Sequence, residues 1–367
     1  MSHIDPNTPN ACPLVLTKDT GWYGSHSGFY EQLGSLLQRP PYHATVFKPR
    51  QTLARNFIGK LIGKLNSIRC GIPYRNAYTS SVELEFFLRI RFLRAKYSCV
   101  LNMDDHWTLL NYWNRVPSSL VGVIHIPTSQ WAKWPIGKTT DRFEACGRLR
   151  SAVVLWEREI PTLEQFVGPG RVAFVPHGID TEFFQPGIKQ RKKMSFLSCG
   201  QYLRDFDMLK SVFWGIQARH PESELKLVIP SHVLKEVDLA WAEQHRNVSI
   251  VSGLSDEELR SEYQLATGLL IPFLDSGANN ATMEAMACGC PIVTNDIGGI
   301  RSYGGGSVYP IGNNADELVE IASKLIEDPI WSIEMSEKLR SYSLNFDWEK
   351  VVPLFLSTIE ELALDSK

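Results

Sequence analysis

No run of about eighteen apolar residues occurs anywhere in the 367-residue chain, so a membrane-spanning helix is not expected. The opening residues, MSHIDPNTPNACPLVL, lack a basic leader and a long apolar core, so no secretory signal is expected either. Cysteine pairs with CxxC spacing are missing. The seven cysteines stand at 12, 70, 99, 146, 199, 288 and 290. An odd number of scattered thiols suits a reducing compartment, and a cytoplasmic location is expected. Cys288 and Cys290, one residue apart around Gly289, read as small buried side chains rather than ligands, and no metal is expected. The net charge of −2 gives no bulk attraction for nucleic acid. Neither a P-loop lysine nor a GxGxxG fingerprint follows the first apolar segment. Internal repeats and low-complexity segments are absent as well.

What is present suits two domains, since 367 residues exceed one ordinary core. Apolar content of 44% and charged content of 21% are those of a soluble globular protein. Short apolar strands are expected at 13–16, 97–102, 120–125, 151–156 and 172–176. After the polar run GIKQRKK (187–193), which reads as a linker, a second series follows at 194–200, 225–229, 248–251, 269–273, 292–294 and 308–309. Strands alternating with helical patterns predict an α/β chain with parallel sheets. The first strand runs into a glycine-rich loop, Lys18 to Gly28, and then an amphipathic helix, FYEQLGSLLQR. A nucleotide-handling loop and a plain tight turn fit that loop equally. The segment from Phe346 to Leu364 predicts a long amphipathic helix, with Pro353 kinking it or sitting near its start.

The most informative stretch is IPFLDSGANNATMEAMACGCPIVTNDIGG, 271–299. It reads as a strand end, a turn pivoting on Gly277, a helix from Ala281 to Cys288 ended by Gly289, and a further strand. Unsatisfied N–H groups at the head of that helix, at the carboxyl end of a parallel sheet, form a ready anion site. Glu284 is expected in the first turn, where the helix dipole favours an acid. A capping box would need Ala281 as the cap, a poor residue for it. A carboxylate there also suits two hydroxyls of a sugar diol. His125 ends an apolar strand, the position where open sheets bind ligands, though a structural histidine fits too. Asp104-Asp105-His106 reads as a strand-end loop whose His106 lines a cleft.

Charge is unevenly spread. Residues 48–96 hold eleven Lys and Arg against only Glu83 and Glu85. Within them, Leu53, Phe57, Leu61 and Leu65 recur at helical spacing beside Lys60 and Lys64, while Gly59 and Gly63 weaken the helix. One reading is an interfacial helix and docking surface for an anionic or lipid-linked acceptor. The other is a solvated basic helix of the domain.

Two α/β domains joined near residue 185 and closed by a C-terminal helix resemble the GT-B glycosyltransferases. VPHGIDTEFFQP (175–186), VSGLSDEELRSEYQLA (251–266), the 271–299 stretch and NFDWEKVVPLFLSTIEELA (345–363) are similar to the large retaining family 4, glycosyl transferases group 1. The resemblance implies two Rossmann-like domains with parallel sheets facing across a cleft. Residues 1–185 would form the acceptor side, residues 186–345 the donor side, and residues 346–367 a helix packing back on the first domain. It further implies metal-independent transfer, without cofactor, from a nucleotide diphosphate sugar to a glycan, lipid-linked or small-molecule acceptor. Apart from the resemblance, the charge excess over residues 48–96 suggests contact with anionic membrane, which would place the chain in the cytoplasm or peripherally at the inner membrane face.

By resemblance, Glu284 accepts the ribose hydroxyls, and the backbone of Gly277, Ala278, Asn279, Asn280 and Ala281, with Thr282, holds the sugar and diphosphate. His125 orients the sugar and steadies developing charge, and Gly24 belongs to a phosphate-facing loop. The family's other carboxylate, eight residues before Glu284 and in contact with the donor sugar, is here Ser276, which leaves three readings: a different donor sugar, Asp275 just before it as a substitute, or reduced catalysis. The family's arginine and lysine after Gly200 are Gln201 and Phe206, which leaves Arg204 as the substitute cation. Where the family has GGIPE, this chain has Gly298-Gly299-Ile300-Arg301-Ser302. These departures keep two alternatives in view: a catalytically reduced GT-B protein that binds nucleotide or glycan, and a nucleotide-sugar epimerase.

Overall fold

The computed structural model describes residues 13–18, 26, 28–70, 77–93, 95, 97–107, 119–133, 143, 146, 147, 149–234 and 238–364. The chain forms two compact units. The first runs to His177 and takes back the end of the last helix from Val351. The second spans Gly178–Lys350 and also includes His26.

Six strands make the first sheet: β1 (Leu14–Leu16), β2 (Thr45–Phe47), β3 (Tyr97–Val100), β4 (Ser119–Ile124), β5 (Ser151–Val154) and β6 (Val172–Phe174). Their order is β2-β1-β3-β4-β5-β6, and every pair is parallel. The second sheet holds β7 (Ser195–Cys199), β8 (Glu224–Val228), β9 (Val248–Val251), β10 (Gly268–Leu270) and β11 (Ile292–Val293). Its order is β11-β10-β7-β8-β9, again wholly parallel. A parallel sheet is covered on both faces, which is why β1, β3, β5 and β10 are buried at every residue. In each sheet the order reverses about its first strand, between β1 and β3 and between β7 and β10. At such a reversal neighbouring loops leave the strand ends in opposite directions and open a crevice. Among the described residues, no helix is long and apolar enough to cross a membrane.

The last helix, Trp348–Leu364, carries Pro353 in its second turn. Val351, Phe355 and Ile359 are buried, and Ser151 Oγ donates to the Leu362 carbonyl at 2.8 Å. Three elements depart from expectation. The edge strand β2 was not foreseen, being three residues long with Thr45 exposed. Val308–Tyr309 forms no strand: Gly304 and Gly306, at φ 90° and 80°, turn the chain there and leave one bridge between Gly305 and Tyr309. The helix Ala77–Leu93 has no legible periodicity, because it buries Ser80, Ser81 and Glu83 alongside Val82, Phe86 and Ile90.

The helix Leu53–Cys70 forms in spite of its glycines, and for one of them the reason is contact. A Cβ on Gly59 would lie 1.6 Å from the Ala77 carbonyl oxygen, so glycine lets the two helices touch backbone to backbone. Gly59→Val is expected to cost about 2 kcal/mol or more, read as a lower denaturation midpoint, because backbone must separate to admit the side chain.

Candidate functional site

At the reversal between β7 and β10, the two outgoing loops are bound to each other. Asp205 N–H donates to the Pro272 carbonyl at 3.0 Å and Leu274 N–H to the Leu203 carbonyl at 2.9 Å. Gly200, at φ 79°, turns the chain after β7 and leaves room for the Arg204 side chain to fold back over it. The Arg204 guanidinium donates through Nε to the Cys199 carbonyl (3.0 Å) and through Nη1 to the Tyr202 carbonyl (3.0 Å). Its Nη2 donates to the Asn279 side-chain oxygen (3.3 Å), and the group lies over the Phe273 ring, 4.6 Å from its centroid. One N–H on each terminal nitrogen remains unspent. Arg204 is 8% exposed and forms no ion pair among the described residues. Burial lowers its pKa to about 10, which still leaves it charged at neutral pH.

The next feature is a helix head. Asn279 caps the helix Asn280–Ala287, its side-chain oxygen accepting the Thr282 N–H at 3.2 Å. The N–H groups of Gly277, Ala278, Asn279, Asn280 and Ala281 donate to no acceptor among the described residues. The helix therefore starts one residue earlier than the sequence predicts, and Glu284 falls outside the first turn, which holds no acid. The helix-dipole account of Glu284 is lost with it. Glu284 is buried and accepts the phenol O–H of Tyr263 at 2.9 Å. Tyr263 comes from the helix Asp256–Leu265, whose start is fixed by a capping box between Ser255 and Glu258. Burial, and then the neighbouring Cys199 and Glu284, hold the Tyr263 phenol well above its usual pKa.

Asp275 accepts the Ser276 N–H at 2.7 Å and is half-buried. Ser276 is turned inward: its hydroxyl donates to the Gly277 carbonyl at 3.0 Å, and its carbonyl takes the Gly299 N–H at 2.7 Å. Gly298, at φ 56°, makes that approach possible, since a Cβ there would lie 2.0 Å from the Ser276 carbonyl oxygen. Arg301 pairs with Asp296 at 2.6 Å, on the surface.

Two arginines that the sequence reading passed over hold the same helix at its other end. Arg191 sits in the stretch read as a linker. It donates to the carbonyls of Tyr263, Gln264 and Ala266, and through Nη2 to Cys288 at 2.9 Å. Arg340 donates to the carbonyls of Thr181, Phe184 and Ala287. Cations among the carbonyls that end a helix suit its dipole. One arginine in a run of four basic residues carries no local signal of such a task.

In the first unit, the ends of β1, β3 and β4 bring together Lys18, Asp104, Asp105 and His125. Lys18 pairs with Asp105 at 2.5 Å. Burial raises the Asp105 pKa, but Lys18 outweighs it and holds the carboxyl below the usual range. Asp104 accepts the His125 N–H at 2.6 Å, and His106 turns toward buried Glu83 at 3.6 Å. The Asp104-Asp105-His106 trio thus faces separate partners. His125 Nε2 lies 2.6 Å from the Leu101 carbonyl. A carbonyl only accepts, so Nε2 carries the proton. Burial lowers the His125 pKa to about 3. It is neutral, so it offers its surroundings a polar ring and not a cation. Gly24 lies outside the described residues. From the glycine-rich loop, His26 belongs to the second unit, stacked on Phe183 at 3.7 Å with Nδ1 2.6 Å from Asp180.

Residues 195–328 match the model of the family described as glycosyl transferases group 1. D-inositol 3-phosphate glycosyltransferase from Corynebacterium jeikeium is 25% identical over 217 residues, 52% of each chain. The chain spans about half the length of the curated relatives it matches. Sucrose-phosphate synthase from Thermosynechococcus elongatus has a similar structure, with a TM-score of 0.69 at 14% identity, over 96% of this chain and 99% of that one. Anabaena Alr3699/HepE, solved with UDP and glucose, gives 0.64 at 12% identity over 95% and 100%. The fold is that of the GT-B class, with two Rossmann-like units.

Gly298→Ala is expected to lower stability by about 2–3 kcal/mol in denaturant unfolding, through both its positive φ and the Ser276 carbonyl. His125 gives a pH signature. Its folded pKa of about 3 lies below the ordinary 6.5, so the unfolded chain takes up a proton first as pH falls. Its contribution is whole above the ordinary value and is lost through the interval below it. The melting temperature of His125→Gln is therefore expected to fall less steeply with acid than that of the natural chain.

Proposed function

We propose that the chain is a retaining, metal-independent glycosyltransferase of the hexosyltransferase type. Its donor is a UDP- or GDP-sugar, and its acceptor is a glycan, a lipid-linked sugar or a small molecule in the reducing cytoplasm. The observation that carries this reading is the pairing of a buried arginine with five N–H groups at a helix head, the arginine having no acid partner and the N–H groups no acceptor among the described residues. Such a place stabilises a dianionic group that gains charge as its bond to a sugar breaks. In this reading Arg204 gives its two remaining N–H bonds to the diphosphate, and the backbone of Gly277 to Ala281 holds the same group and the sugar. Glu284, steadied by Tyr263, accepts the ribose hydroxyls. Asp275 replaces the missing carboxylate at Ser276, and neutral His125 orients the sugar by hydrogen bonding. The group 1 domain over 195–328 and the relative named as a glycosyltransferase support the reading. UDP and glucose in Alr3699/HepE support the choice of donor class.

A second reading, nucleotide or glycan binding without turnover, is favoured by one observation. Ser276 stands where the resemblance has an acid, and its hydroxyl is spent on Gly277.

Transfer assays over UDP-, GDP- and ADP-sugars separate the two. Turnover of one donor is expected. In that assay Arg204→Lys should lower kcat about a hundredfold, because a fixed donor to the leaving group is lost. Glu284→Gln should raise the donor KM about tenfold with a smaller change in kcat. Tight nucleotide binding with no turnover of any donor would leave only the second reading, and donor conversion in the absence of acceptor would point to epimerisation.

A further inference from the structure

The helix Leu53–Cys70 is built the wrong way round for a helix that serves only its own core. Its smallest residues, Gly59 and Gly63, are buried, with Gly59 on the backbone of Ala77. Its largest apolar residues point outward. Leu53 is 90% and Phe57 73% exposed, and Leu61 and Leu65 continue the stripe at four-residue spacing. The neighbouring helix Ala77–Leu93 repeats the arrangement. It buries Val82, Phe86 and Ile90 and leaves Leu88 outside together with Phe92, which is 78% exposed. An apolar stripe of this kind is costly in water unless something covers it.

The charges around the stripe identify the cover. Arg55 and Arg89 share a single acid, Glu85, at 2.5 and 2.9 Å. Arg50, Lys60, Lys64 and Arg91 are exposed and have no ion-pair partner among the described residues. The sequence offers no acid between residues 48 and 82. By helical spacing, Lys60 and Lys64 flank the stripe on the side of Phe57. A second copy of the chain would meet this face with the same positive charge, so self-association is opposed. An anionic bilayer supplies both an apolar layer for the leucines and Phe57 and a plane of negative charge for the lysines.

We propose that this helix lies on anionic phospholipid membranes, with Leu53, Phe57, Leu61 and Leu65 at the acyl boundary and Lys60 and Lys64 at the phosphates. The inference is independent of the reaction proposed above. It is tested by co-sedimentation of the full chain with phosphatidylcholine vesicles, with and without phosphatidylglycerol. Binding is expected only with the anionic lipid, and it should weaken with salt. The double variant F57Q/L61Q is expected to lower the partition coefficient at least about tenfold. K60E/K64E should do the same, at about fivefold or more for each lysine reversed. All four positions are solvent-exposed, so unchanged melting temperatures and circular dichroism establish that each variant folds. Failure of the natural chain to bind anionic vesicles would overturn the proposal, as would binding that neither variant weakens. A dimer in solution that F57Q/L61Q dissociates, with no vesicle binding, would assign the face to a second copy instead.

Discussion

A buried positive charge with no negative partner among the described residues, Arg204, sits where the strand order of the second sheet reverses. Taking a guanidinium out of water costs several kcal/mol even after relaxation. Three hydrogen bonds from a charged donor return about 1.5–3 kcal/mol each, and the Phe273 face adds a little more. The sum is near balance, so Arg204 can stay folded inward and charged without an acid. An acid in place of the Asn279 side-chain oxygen would have been more stabilising for the chain alone. It would also have cancelled the charge that makes the place attractive to an anion. The neutral amide keeps the guanidinium in position while leaving its charge uncompensated.

The short helix 280–287 extends the same logic along its length. Its head presents N–H groups and its end presents carbonyls, the two poles of one dipole. Arg191 and Arg340 meet those carbonyls, so the negative pole is satisfied inside the protein and the positive pole is not. The two arginines also tie the helix to residues 181–184 and to the end of the helix 256–265, the helix that supplies Tyr263 to Glu284. Buried on every residue from Ala281 to Ala287, it has little freedom to turn. The backbone donors are therefore presented in a fixed array, which is the condition for stabilising charge without reorganisation.

Much of this was legible in the sequence. Short apolar runs separated by helical patterns determine a parallel sheet almost by themselves, because only strands covered on both faces can be apolar throughout. The turn, helix and glycine stop of 275–289 were readable for the same local reasons, apart from a shift of one residue in the cap. What escaped reading was carried by distance along the chain. Arg191 meets Cys288 across 97 residues and Arg340 meets Thr181 across 159, and no window of sequence records such a pairing. The helix 77–93 escaped because its buried face mixes Ser80, Ser81 and Glu83 with three large apolar residues, so hydrophobic periodicity vanishes. The 53–70 helix was legible as amphipathic, but its orientation was not. The close approach of Gly59 to Ala77, which no window of sequence records, turns the apolar side outward and leaves Leu53 and Phe57 exposed.

The two units treat charge in opposite ways at corresponding places in their sheets. In the first, the strand ends carry Lys18 against Asp105 and a histidine that burial keeps neutral. That neighbourhood presents dipoles and hydrogen bonds, with Lys18 and Asp105 neutralising each other. In the second, the formal charge of Arg204 is kept buried and without an ion-pair partner among the described residues, beside backbone donors that meet no acceptor among them. A neutral sugar is recognised by paired, directional polar groups, whereas a diphosphate is recognised by uncompensated positive charge. The same doubly wound topology thus yields two chemically distinct strand-end surfaces. The difference rests on a few choices: asparagine rather than an acid at 279, a carbonyl rather than a carboxylate against His125 Nε2, and an acid at 105 within reach of Lys18.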